Sequence, residues 1–295
     1  MTPTDLPRGF EAYASESVPQ AAVGSPGKRG ELDLRFAAAE DGRTRLVRDY
    51  ARAPFHVSGT LGHDPHPDAA TVYVQSPTGG VAQGDRHDVA IEAGPGSIAH
   101  VSTASATKIQ SMARNYAAAG LGLTVGRDAH LEYVPEPTIL HADARYAQDL
   151  TLEVGSGGTA VLSEVVVPGR LARGERFEFD RYRSRLRVSG SDGRLFEDAT
   201  ALRGAEERDL LGEFDVYGTL YVVAPGSGPD LAETVHDRLG AHEARAAVSR
   251  LPNDAGVFVR ALGRRSGDVT DALHAAWDGA RVELLGVGAP DPRRY

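Results

Sequence analysis

Several stretches of the 295-residue chain carry side chains whose types and spacing could do chemistry. The first is Ser76-Pro77-Thr78-Gly79-Gly80-Val81-Ala82-Gln83-Gly84-Asp85. Glycines let backbone N–H groups come close to an anion, so a phosphate cradle is one reading. The stretch lacks the Gly-Lys-Ser/Thr ending of a P-loop and no helix pattern follows it. A Gly-Gly turn feeding a strand, with Asp85 accepting backbone hydrogen bonds, is the other reading. The second stretch, Val101 to Ile109, places Ser105 and Lys108 three apart, and a desolvated lysine can accept a serine proton. That pairing needs a helix, whereas the neighbouring valine and threonines (Thr103, Thr107) favour an extended chain with the two residues on opposite faces.

Carboxylates supply a third possibility. Glu164 adjoins the apolar run Val165-Val166-Val167, which would set it in a sheet interior, where a carboxylate must be paired, protonated or bound to a metal. Glu164 and Glu175 across a cleft would resemble the acid and base of a β-helical carbohydrate-active enzyme. Arg170 and Arg173 lie between them, so an ion-pair network around a Pro-Gly turn is the alternative. Finally, His63-Asp64-Pro65-His66 brings two imidazoles and a carboxylate close together, a weak candidate site for nickel or zinc on an exposed loop. None of these stretches is a complete catalytic set.

Composition narrows the partners. With 32 Lys+Arg against 41 Asp+Glu the formal charge is −9, which repels phosphate backbones and argues against nucleic acid. The chain has no cysteine, so any metal must sit on oxygen or imidazole. Of the basic residues only Lys28 and Lys108 are lysines. Prolines and charges interrupt the first residues, and no run is long enough to span a membrane, so a cytosolic protein is expected.

The elements that must position these groups are mostly strands. Residues 1–28, with Pro3, Pro7, Pro19 and Pro26, show no periodicity and read as a weakly ordered extension. The remainder, 29–295, reads as one domain. Glu31 to Phe36 and Thr44 to Arg48 alternate around Asp41-Gly42, which predicts a hairpin. Thr71 to Gln75 predicts another strand. A strand–Gly–strand unit recurs at Gly94, Gly126 and Gly155, with a further copy around Leu186 to Phe196, which suggests stacked β-hairpins or coils. Any β-rich chain can show such units, so a true repeat and chance spacing both remain open. Apolar spacing between Pro229 and Pro252 predicts a helix over about 230–251, and Leu273, Ala276, Trp277 and Ala280 predict a second over about 268–285. The fold class is therefore mainly β, with helical or stacked sheet layers of many short strands and two α-helices near the C-terminus.

The blocks Ser76 to Asp85, Thr103 to Ile109, Pro135-Glu136-Pro137-Thr138-Ile139 and Gly169-Arg170-Leu171-Ala172-Arg173-Gly174-Glu175, in this order and spacing, resemble the urease accessory protein UreD (UreH) family. The resemblance extends from about Gly30 through Gly218 to Val223, and less distinctly to Tyr295. It implies a non-enzymatic nickel-insertion chaperone that joins UreF-type and UreG-type partners on apo-urease and conducts Ni2+ through an internal tunnel, with no permanently bound cofactor. Mapped onto this chain, it puts Asp85, Glu164 and Glu175 on a transient nickel path, and makes Gly79, Gly80, Gly84, Thr103, Thr107, Lys108, Gly169, Arg170 and Gly174 motif positions. Residues 1–28 and the His63/His66 loop have no counterpart in the pattern.

Overall fold

The computed structural model describes residues 6–18, 26–240 and 242–291. A short helix, α1 (Glu11–Ala14), precedes the expected hairpin of β1 (Arg29–Ala38) and β2 (Thr44–Arg52). Strands β3 (His56–Leu61) and β4 (Ala69–Gln75) follow, and then the chain winds. It passes from β5 (Arg86–Ala93) to β6 (Ile98–Thr103) and β7 (Thr107–Ile109), from β8 (Ala117–Val125) to β9 (His130–Tyr133) and β10 (Thr138–Leu140), and from β11 (Arg145–Val154) to β12 (Thr159–Val167). A last rung, β13 (Arg181–Gly190), turns back on itself as β14 (Gly193–Leu202). The C-terminal part comprises α2 (Gly204–Leu211), β15 (Val216–Val223), α3 (Asp230–Arg238), β16 (Arg245–Arg250), β17 (Gly256–Gly263) and α4 (Ser266–Leu285).

Two sheets result. The first has the order β14-β13-β11-β8-β5-β1-β2, and the path of the second is β16-β17-β15-β12-β9-β6-β4-β3. Within them β5, β8, β11 and β13 run parallel as successive rungs, and β4, β6, β9 and β12 do the same on the facing sheet. The strand–Gly–strand repeat is thus structural. Gly94, Gly126 and Gly155 occupy equivalent corners, each amide donating to a carbonyl of the preceding rung, of Phe36, Ala93 and Val125 respectively.

Alternation decides the layers. Inward residues such as Leu34, Ile91, Leu123, Leu152 and Leu162 fill the space between the sheets. On the second sheet the other face is also apolar, and Val161, Val165, Leu220 and Val259 pack against α3 and α4. Gly218 on β15 permits that contact, since a Cβ there would stand 2.7 Å from the Val269 side chain. Helix α4 offers Val269, Leu273, Ala276, Trp277 and Ala280 as one buried stripe.

Two expectations need correction. The helix expected over 230–251 stops at Arg238, and residues 245–250 form the edge strand β16. Gly240 is a poor helix residue, and Ala246 and Val248 alternate with exposed neighbours, which is strand periodicity. Second, part of the extension expected to be weakly ordered is docked: Phe10 is fully buried with Tyr116, Ala118 and Ala147. The Phe10 and Tyr116 ring centroids are 5.0 Å apart, and the Arg145 guanidinium lies 4.3 Å over Tyr13, contacts a polarity scan cannot see. The rest of that extension, 1–5 and 19–25, lies outside the described residues.

Candidate functional site

The four sequence blocks meet along one edge of the coil. Val81 bridges Ile109, Thr107 pairs with Thr138, and Thr138 pairs with Val166. Side chains lock the same order: Glu136 N–H donates to Thr103 Oγ1 at 2.9 Å, and Ala142 N–H donates to Glu175 Oε1 at 3.1 Å. Each block is the corner of one turn, so residues far apart in sequence become neighbours. Gly80 makes the approach possible. It has φ +127, and a Cβ would stand 2.4 Å from the Lys108 carbonyl oxygen. Gly169, with φ +142, is held likewise against the Glu175 carbonyl.

Behind this edge, between the sheets, is a cavity of about 190 Å³. Its polarity follows from strand register. Gly30, His87, Ala119, Gln148 and Ser184 lie side by side across the first sheet. The next row is wholly apolar: Leu32, Val89, Leu121, Leu150 and Leu186. One row with three polar members, His87, Gln148 and Ser184, therefore crosses the strands at the end nearest the blocks. His87 and Gln148 line the cavity together with Gly79, Gly80, Thr103, Thr107, Lys108 and, from the facing sheet, Glu164.

Glu164 sits on the inward face of β12, between Leu162 and Val166. Tyr182 donates its hydroxyl to Glu164 Oε1 at 2.8 Å, and the Gln148 amide donates to the same oxygen. Burial pushes the Glu164 carboxyl above its ordinary range, against the downward pull of the Tyr182, Ser184 and Gln148 hydrogen bonds. His87 is pushed down to about 4 by burial, so its imidazole is neutral at pH 7. Its Nε2 has no hydrogen-bond partner among the described residues. A neutral imidazole and a carboxylate on opposite walls of a cavity are groups of the kind that can each bind a divalent cation in passing. A second cleft, of about 550 Å³ under α4, shares Glu136 and Ser163 with the cavity wall.

Other sequence-predicted residues lie elsewhere. Asp85 is 1% exposed and does not line the cavity. Its Oδ1 accepts from the Gly27 and Lys28 amides at 2.9 and 2.8 Å and its Oδ2 from Ala82 N–H at 2.9 Å, so it ties the Gly84 turn to the start of β1. Glu175 is also absent from the cavity lining. Arg170 Nε donates to it at 2.9 Å, and this guanidinium holds its carboxyl below the usual range. Gly174 ends the short turn Leu171–Arg173 in a left-handed conformation. Glu164 and Glu175 therefore do not share an open groove, as a glycosidase pair must. His63 is exposed, His66 Nδ1 accepts from Asp68 N–H at 3.2 Å, and the carboxylate between them is bound by Arg281. Among the described residues no three His, Cys, Asp or Glu side chains form a metal cage.

Sequence reasoning missed a buried cluster on the other face of the second sheet. Glu132 Oε2 meets His100 Nδ1 and Arg281 Nη1, each at 3.0 Å. Its Oε1 meets His130 Nε2 at 3.1 Å and accepts from Trp277 Nε1 at 2.8 Å. Arg281, with no exposed surface, also donates to Asp64 at 2.5 and 3.0 Å. Burial would raise the Glu132 carboxyl, but the bonds to His100 and His130 hold it well below the carboxylate range. The spacing of His130 and Glu132 on one strand face was a local signal; the partners on α4 left none. His87, too, gave no signal until register placed it.

The family model described as UreD urease accessory protein matches residues 28–295. Among named relatives, the urease accessory protein UreD of Haloarcula marismortui is 60% identical over 97% of each chain. That of Natronomonas pharaonis is 48% identical over 98% of this chain and 99% of its own. Urease accessory protein UreD 2 of Brucella suis is 36% identical over 92% and 93%.

Proposed function

Because the chain belongs to the UreD family of urease accessory proteins, we propose that it serves urease maturation as a non-catalytic scaffold and passage for Ni2+. In this reading it joins UreF-type and UreG-type partners on apo-urease in the cytosol, and nickel is cargo, with no resident cofactor. The observation that carries the proposal is the inter-sheet cavity, walled in part by the first three motif blocks and holding His87 and Glu164 on opposite sides. Two donors spread across a cavity suit transit, because a site with three or four converging ligands would retain the ion. Tyr182 and Gln148 orient the carboxylate, and the apolar row beside Gln148 confines water and ion to the row of His87, Gln148 and Ser184. Asp85, Glu175 and Arg170 act in this reading by holding the corners that shape the wall.

The test is genetic. Urease co-expressed with its other accessory proteins but without this one should be folded and nickel-poor, measured as metal per subunit by mass spectrometry. Full nickel occupancy without it would sink the reading. No helix among the described residues is long and apolar enough to cross a membrane.

A further inference from the structure

The edge built from the four blocks has an outer surface as well as an inner one. There lies an open groove of about 540 Å³ whose floor includes Ile139, Val167 and Leu171. Lys108, Arg170, Arg173 and His141 stand around it. Glu175 neutralises Arg170, whereas Lys108 and Arg173 are exposed and form no ion pair with a carboxylate among the described residues. The field is positive enough to act on His141: burial, followed by Arg170, with Lys108 and Arg173 adding to it, holds that imidazole below its usual range against the pull of Glu175. This occurs on a chain of formal charge −9, so the groove is a local reversal of sign.

We propose that this groove docks an acidic segment of a protein partner in the maturation complex, with carboxylates on Lys108 and Arg173 and an apolar side chain on the Ile139–Leu171 floor. The apolar floor and open shape favour a polypeptide over a small hydrated anion, which would gain nothing from them. Gly79 and Lys108 line both the groove and the inner cavity, so a segment seated there would lie against the cavity wall. The inference rests on the scaffold reading and adds to it the surface and the chemistry of the partner.

The chain's two lysines make the test sharp, since a carbodiimide joins a lysine amine to a carboxylate in direct contact. The full-length protein would be mixed separately with purified UreF-type protein and with apo-urease, cross-linked, and the joined peptides sequenced by mass spectrometry. Binding of the same two proteins to wild type, Arg173→Glu and Lys108→Glu would be measured at low and high salt. The expected result is a Lys108 link to an acidic segment of one partner, and affinity for it about tenfold weaker in Arg173→Glu and falling with salt. Arg173 is exposed, so this variant should fold, which its unfolding midpoint would verify. Undiminished partner binding by both variants would overturn the inference while leaving the scaffold reading standing. A Lys108 link to a second copy of this chain would overturn it in favour of self-association. If wild type binds neither protein, both readings fall.

Discussion

Glu132 and Glu164 lie on neighbouring strands of one sheet, both enclosed by protein, and their carboxyls are driven in opposite directions. Glu132 points toward α4, where Arg281, Trp277, His100 and His130 take both of its oxygens. Glu164 points between the sheets, and the donors reaching it are uncharged: the Tyr182 and Ser184 hydroxyls and the Gln148 amide. Burial by itself decides nothing about a carboxylate's role. A counter-charge turns one into a structural anchor, and its absence leaves the other raised beside a cavity, where the proposed passage would use it.

The largest effect should come from breaking the anchor. Arg281→Met leaves Glu132 and Asp64 buried without their cation, and should destabilise the fold by about 3–5 kcal/mol in urea unfolding. A loss under about 1 kcal/mol would mean that the two carboxylates are not energetically distinct. The next effect is pH-dependent. His87 has a folded pKa below its unfolded value, so the unfolded chain binds more protons between them and stability falls as pH drops from about 6.5 to about 4. The loss should be on the order of 1–3 kcal/mol at the acid end of that window, and His87→Phe should remove it. An unchanged acid limb in the variant would show that the cavity does not control this imidazole. Glu164→Gln should have the smallest effect on stability, within about 1 kcal/mol, because an amide can still accept from Tyr182. Its effect should appear in function, as a several-fold lower nickel content of co-expressed urease with complex formation intact. Equal loading would remove Glu164 from the path and undo the contrast with Glu132.

Much of this was legible in the chain. Alternation gave the β1–β2 hairpin and the apolar stripe of Leu273, Ala276, Trp277 and Ala280 gave α4, while the recurrent glycines marked the corners without deciding between stacked hairpins, coils and chance spacing. Residues 245–250 misled because the proline boundaries at 229 and 252 enclose a helix and a strand together. The resemblance put Asp85 and Glu175 on the nickel path beside Glu164; the backbone amides that hold Asp85 and the Arg170 guanidinium that holds Glu175 became visible only in the fold. His87 and the Glu132 cluster depended on register and on contacts such as Arg281 to Glu132, which are 149 residues apart.

Period, turn chemistry and motif spacing, all properties of a few adjacent residues, determined most of the strands and the family. Which inward row would be polar, which carboxylate would meet a cation, and where the surface turned positive were decided only when distant strands came into register. These outcomes depend on what stands opposite each side chain, and that neighbour is set by packing across the fold.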